Sequence, residues 1–110
     1  ISTNPVGIDI ESSSRKIDPR VIERYKQNHA SQLEMRHIDY WVMLESAAKY
    51  WAQGIQGIKN IVIQEKYDLW YRVMNTALDE IAFCCIFSDK QWTWAVTSSE
   101  IQNIQVKAWQ

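Results

Sequence analysis

Between Asn60 and Thr97 the chain offers four short runs rich in β-branched and aromatic residues: Asn60 to Gln64, Leu69 to Val73, Glu80 to Phe87 and Trp92 to Thr97. Polar breaks separate them, and Ser88-Asp89-Lys90-Gln91 reads as a hairpin connection, so these runs are predicted to be antiparallel strands. A further strand precedes them. From Pro5 to Glu11, Val6, Ile8 and Ile10 alternate with Gly7, Asp9 and Glu11, the period of a half-buried strand. After the polar break Ser12-Ser13-Ser14, Asp18-Pro19 supplies a cap and a proline at the first helical position, predicting a helix from Pro19 to about Asn28. A longer helix is expected from Ile38 to Gln53, with Asp39 as its N-cap and Gly54 as its stop. Strand, helices and then a run of strands is the order of an α+β domain, its helices packed on one face of a mainly antiparallel sheet.

A chain of 110 residues fits one domain and one core. Six tryptophans, Trp41, Trp51, Trp70, Trp92, Trp94 and Trp109, carry more apolar area than so small a core readily covers, which predicts a partner subunit or a second half. The formal net charge is −1 with both signs interspersed, so nothing marks a nucleic-acid or membrane-surface binder. No run of about twenty apolar residues is available to span a bilayer. Cys84 and Cys85 are the two cysteines; as neighbours in an apolar run they form neither a zinc motif nor a disulfide framework, and a reducing, cytoplasmic setting is expected. The first residues, Ile1-Ser2-Thr3-Asn4, are expected to be the start of a processed or excised piece.

Chemistry concentrates on carboxylates. Asp9 and Glu11 leave the same face of one strand, and two like charges so close favour a cation between them. On the long helix, at about 100° per residue, Glu45 falls between Trp41, Ala48 and Ala52, inside the apolar stripe, where a carboxylate needs a cation, a hydrogen-bond network or a solvent-filled cleft. Lys49 follows one turn on, in the orientation that also makes an ordinary helix-stabilising pair with Glu45. Three carboxylates and a lysine fit a hard-cation site of the kind magnesium occupies together with substrate phosphates. Residue chemistry by itself leaves nuclease, phosphatase and transferase open. His29 and His37 have no partner at ligand spacing and read as surface residues, while Trp92 and Trp94 read as core or interface aromatics rather than a stacking platform for adenine.

The stretches Val6-Gly7-Ile8-Asp9-Ile10-Glu11 and Trp41-Val42-Met43-Leu44-Glu45-Ser46-Ala47-Ala48-Lys49 resemble, in order and separation, the G-x-D-x-E and W-x-x-K-E-[AS]-x-x-K motifs of 4′-phosphopantetheinyl transferases, and Trp94-Ala95-Val96-Thr97 resembles the closing strand of members of the surfactin-synthetase-activating (Sfp) type. The resemblance covers most of the chain. It implies that Asp9, Glu11 and Glu45 hold Mg2+ against the pyrophosphate of coenzyme A, that Lys49 contacts the phosphates, and that Arg24 adds a positive charge. Glu45 would also be the general base that takes the proton of a serine on an apo-acyl or peptidyl carrier protein.

Two departures from the family pattern stand out. Leu44 replaces the lysine that precedes the helix glutamate, and Asn28-His29-Ala30 stands where another acidic residue is common. The chain also matches only the C-terminal half of the two-lobed Sfp-type enzyme, and its length is that of the shorter holo-acyl-carrier-protein synthase type. The resemblance therefore implies that a homo-oligomer, a dimer or trimer, or a separate N-terminal half completes the cleft. A degenerate homologue that binds coenzyme A or a carrier protein without transfer is the alternative that Leu44 raises.

Overall fold

The computed structural model describes residues 5–25 and 35–100. Strand β1 (Val6–Ser12) leads into helix α1 (Pro19–Arg24) and helix α2 (His37–Tyr50); a 3-10 helix (Ile55–Asn60) then opens onto β2 (Ile61–Tyr67), β3 (Trp70–Asn75), β4 (Glu80–Ser88) and β5 (Trp92–Ser98). The five strands form one sheet in the order β1-β5-β4-β3-β2, antiparallel throughout. Strands β2 to β5 follow one another as a meander. The first strand closes the sheet beside the last, with Val6 opposite Ser98 and Ser12 opposite Trp92. This is the expected α+β arrangement, and the five strands lie where the sequence places them, within one to three residues at each end.

Local chemistry explains the helix ends. Asp18 caps α1, its Oδ1 accepting from the Arg20 backbone N–H at 2.8 Å ahead of Pro19 in the first turn. Helix α1 ends at Arg24, short of the expected Asn28, with Tyr25 as its C-cap; Asn28, His29 and residues 101–110 lie outside the described residues. Helix α2 starts earlier than expected, and its N-cap is Arg36 rather than Asp39. Asp39 instead sits at the third helical position and reaches back, accepting from the Arg36 backbone N–H at 3.3 Å and from its guanidinium at 2.7 Å. At the other end the helix stops at Tyr50, short of Gln53, because Ala52 takes a left-handed φ of 54° and lets the Gln53 N–H bond Ala48 O at 3.0 Å. Gly54, at φ 63°, starts the 3-10 helix, which the sequence pattern did not reveal.

Helix α2 lies across one face of the sheet and forms the core with it: Val42, Met43, Leu44 and Ala47 meet Ile61, Ile63, Val73 and Ala95, all fully buried. Cys84 and Cys85 are both buried packing residues; Cys84 faces α2, and Cys85 points to the opposite side of the sheet. Alternation in β1 is present, but the buried half is the one carrying Gly7 and Asp9. Val6, Ile8 and Ile10 are 45%, 52% and 55% exposed on the face that α2 leaves open.

The reason is steric. A Cβ on Gly7 would lie 2.0 Å from the Ser46 carbonyl oxygen and 2.5 Å from the Tyr50 amide nitrogen, so the strand touches the helix backbone and only hydrogen fits between. Beside it β5 presents Thr93, Ala95 and Thr97 to the helix, all small and all fully buried. A face of small side chains admits a helix closely, and the bulkier alternate face is left outside. Among the described residues, no helix is long and apolar enough to cross a membrane.

Candidate functional site

The close approach at Gly7 brings the middle of β1 under the third and fourth turns of α2. Asp9, two residues after Gly7, points to the helix and is 4% exposed. Its Oδ1 accepts a hydrogen bond from Lys49 Nζ at 2.8 Å. Glu45 precedes Lys49 by one helical turn and lies beside the same carboxylate. Burial, then the Asp9 charge, hold the Glu45 carboxyl above its ordinary range, while Lys49 opposes the rise. Lys49 in turn is raised, first by its bond to Asp9. Strand and helix thus bring together a buried carboxylate, a half-buried one and an ammonium, three of the residues singled out from sequence.

The second oxygen of Asp9, Oδ2, is buried and has no hydrogen-bond partner. An orphaned carboxylate oxygen beside a second carboxyl has the chemistry of a place for a cation, since a cation would satisfy the oxygen and relieve the repulsion. Asp9 and Glu45 fit a divalent ion in this sense. Glu11 does not converge with them: it lies one pleat along on the same face, and Arg15 holds it in an i,i+4 ion pair. Glu11 reaches Glu45 and Lys49 only as a distant charge, the smallest influence on either. Among the described residues, no group of three or more His, Cys, Asp or Glu side chains is gathered as a metal site.

The remaining candidates lie apart. Arg24 ends α1, exposed, and no described hydrogen bond or ion pair joins it to the Asp9–Glu45–Lys49 group. His37 is the first residue of α2 and is exposed. Leu44, which stands where the family has lysine, is fully buried in the core, so this side chain serves packing and presents nothing to the site.

Three features escaped sequence reasoning. Ser46, beside Glu45, is fully buried; its Oγ donates to Met43 O at 3.0 Å and shares a hydrogen bond of 2.7 Å with Thr97 Oγ1, fixing the helix on β5 next to the site. A small cavity of about 90 Å3 opens from Glu45 and Lys49 toward Ala48, Gly54, Ile55 and Ile58. A wider cleft of about 610 Å3 lies between the β1–α1 connection and the start of α2, with Arg15, Lys16, Arg36 and His37 in its lining. The signal for the Ser46–Thr97 contact was weak, because small hydroxyl residues in an apolar run read equally as exposed positions.

No protein-family model, curated protein or solved structure matches this chain.

Proposed function

We propose that this domain transfers the 4′-phosphopantetheine group from coenzyme A to a serine of an apo-acyl or peptidyl carrier protein, with magnesium, in a reducing cytoplasmic setting. One observation carries the reading: Lys49 Nζ lies 2.8 Å from a buried Asp9 whose other oxygen is unpartnered, with Glu45 alongside. These are the residues on which the two motif resemblances converge. With a divalent ion held by its carboxylates, the arrangement would offer a diphosphate positive charge from the ion and from Lys49.

Asp9 and Glu45 would hold the ion, and Glu11 would join them on release from Arg15. When bound, magnesium supplies neutralisation of the charge that builds on the diphosphate oxygens. Lys49, bonded to Asp9 and half-exposed, would turn its remaining donors to the phosphates. Glu45 would take the serine proton, directly or through water. The serine oxygen then bonds to the β-phosphorus as the bond to the bridging oxygen breaks, and 3′,5′-ADP leaves. The basic lining of the wider cleft, Arg15, Lys16 and Arg36, would favour a partner with an anionic surface. Arg24 remains part of the proposal only as an exposed charge near that side.

A second reading, a non-catalytic homologue that binds coenzyme A or a carrier protein, is favoured by the burial of Leu44 and by the engagement of Glu11 with Arg15. Incubation with coenzyme A, magnesium and a panel of apo-carrier proteins separates the two. Intact mass is expected to show the phosphopantetheine increment, and Asp9→Asn is expected to lose it by a factor on the order of 100 or more. Magnesium-dependent binding of coenzyme A without any increment would select the second reading. Neither binding nor transfer would end both.

A further inference from the structure

We infer that Arg15 couples the wider cleft to the cation site: an oxyanion entering the cleft draws Arg15 off Glu11 and frees Glu11 to join Asp9 and Glu45 on the ion. The coupling builds on the proposed cation site and names what regulates it. Arg15 belongs to both places, since its guanidinium pairs with Glu11 while its side chain lines the cleft with Lys16 and Arg36.

The end of β1 explains this double membership. The Arg15 N–H donates to Ser12 O at 3.0 Å, a turn that folds the chain back so that Arg15 lies beside Glu11. Ser13 ties the turn to the β4–β5 hairpin, its N–H donating to Gln91 O at 2.8 Å and its Oγ to Asp89 O at 2.9 Å. Backbone is fixed there, and the half-exposed Arg15 side chain is the part that can swing.

The two guanidiniums of the cleft are held unequally. Asp39 holds Arg36 at 2.7 Å and Ser88 Oγ holds it at 2.9 Å, whereas among the described residues Glu11 alone pairs with the Arg15 guanidinium. An exposed pair of that kind shifts an equilibrium only roughly two- to five-fold, so it holds Glu11 without locking it. An oxyanion offers Arg15 a charge-assisted bond equivalent to the one it gives up. Glu11 leaves β1 on the same face as Asp9, and a divalent ion takes the added carboxylate oxygen. Linkage makes the effect reciprocal, the anion tightening the ion by the factor with which the ion tightens the anion.

The test is calorimetric titration of the full chain with Mn2+ in sodium sulfate and in sodium chloride of equal ionic strength. Sulfate is expected to tighten Mn2+ binding roughly two- to five-fold in wild type and not in Arg15→Gln, which already binds Mn2+ more tightly in chloride by a similar factor. Sulfate's own hold on Mn2+ is the same for both proteins and cancels in that comparison. Adding Glu11→Gln is expected to remove the gain, and Arg15→Lys, which keeps the pair, to restore wild-type behaviour. Lys16→Gln takes the same charge from the cleft without touching Glu11, so an Arg15→Gln variant no tighter than Lys16→Gln overturns the coupling. A gain that survives Glu11→Gln, or an equal sulfate response with and without Arg15, overturns it too. Apo-carrier protein and 3′,5′-ADP, each in place of sulfate, tell whether a partner's carboxylates or a nucleotide's phosphate supplies the oxyanion. A sulfate response with neither of these leaves the coupling standing and counts against the transferase reading, while a chain that binds no Mn2+ ends both.

Discussion

Along β2 and β3 the sheet buries apolar residues, Ile61, Ile63 and Val73, in the usual way, but along β1 and β5 its two faces invert the assignment of apolar inside and polar outside. Under α2 the strands carry Gly7, Asp9, Thr93, Ala95 and Thr97, small or polar and almost entirely buried. On the far face they carry Val6, Ile8, Ile10, Trp92 and Trp94, large and apolar, each half-buried or exposed. What separates the faces is bulk more than hydropathy. A helix backbone settles where side chains are short, and the polar atoms buried there are satisfied locally, as Ser46 and Thr97 satisfy each other at 2.7 Å. The same closeness places Asp9 against α2, so packing and site share one cause.

If the covered face is a core first and a phosphate site second, disturbing it should unfold the domain. Leu44→Lys is expected to cost on the order of 3 kcal/mol or more, because an ammonium would be buried among Leu44's apolar neighbours. Thermal unfolding reads it; a Leu44→Lys variant as stable as wild type, with increased transfer, would mean that this helix position faces the site. Gly7→Ala comes next, at about 2 to 3 kcal/mol, since the added methyl meets backbone atoms of Ser46 and Tyr50 that cannot rotate away. A midpoint unchanged in denaturant would show that β1 and α2 do not touch there.

Strand positions and the α+β class were legible in the residues because β-branched runs and turn chemistry act locally. Which face of β1 is covered was not. Alternation specifies two sides of a strand, but the choice between them depends on how near α2 approaches, a tertiary distance set jointly by Gly7, Ser46 and Thr97. The anomaly of Glu45 within an apolar stripe was visible in the spacing, and its neighbour Asp9 was too. Their meeting, and the capture of Asp9 by Lys49 and of Glu11 by Arg15, depended on the helix lying over β1. Leu44, noted in the sequence as a departure from the motif it resembles, lies fully buried in the core.

A smaller effect contrasts the two faces directly. Thr97→Val keeps the shape but removes one hydrogen-bond partner of Ser46 Oγ, which keeps its bond to Met43 O, and about 1 kcal/mol is expected. Ile8→Thr on the open face should stay within about 0.5 kcal/mol. Equal costs at the two positions would remove the distinction between a hydrogen-bonded face and an apolar one.

The smallest effect is also the one that reaches the chemistry. Glu45 is raised by burial and by Asp9, so the fold favours its protonated form. Stability from that preference is present below the ordinary carboxylate range and is lost as pH rises through the raised value. Glu45→Gln is neutral at every pH and avoids that loss. It is therefore expected to melt slightly above wild type near pH 7, with the difference shrinking toward about pH 4, where Glu45 in wild type is protonated as well. A carboxylate tolerated at some cost in stability, yet required for transfer, would be a residue kept for chemistry. The opposite sign, with Glu45→Gln melting lower near pH 7, would mean that the Lys49 charge outweighs burial and Asp9, and that Glu45 belongs to an ordinary helix ion pair.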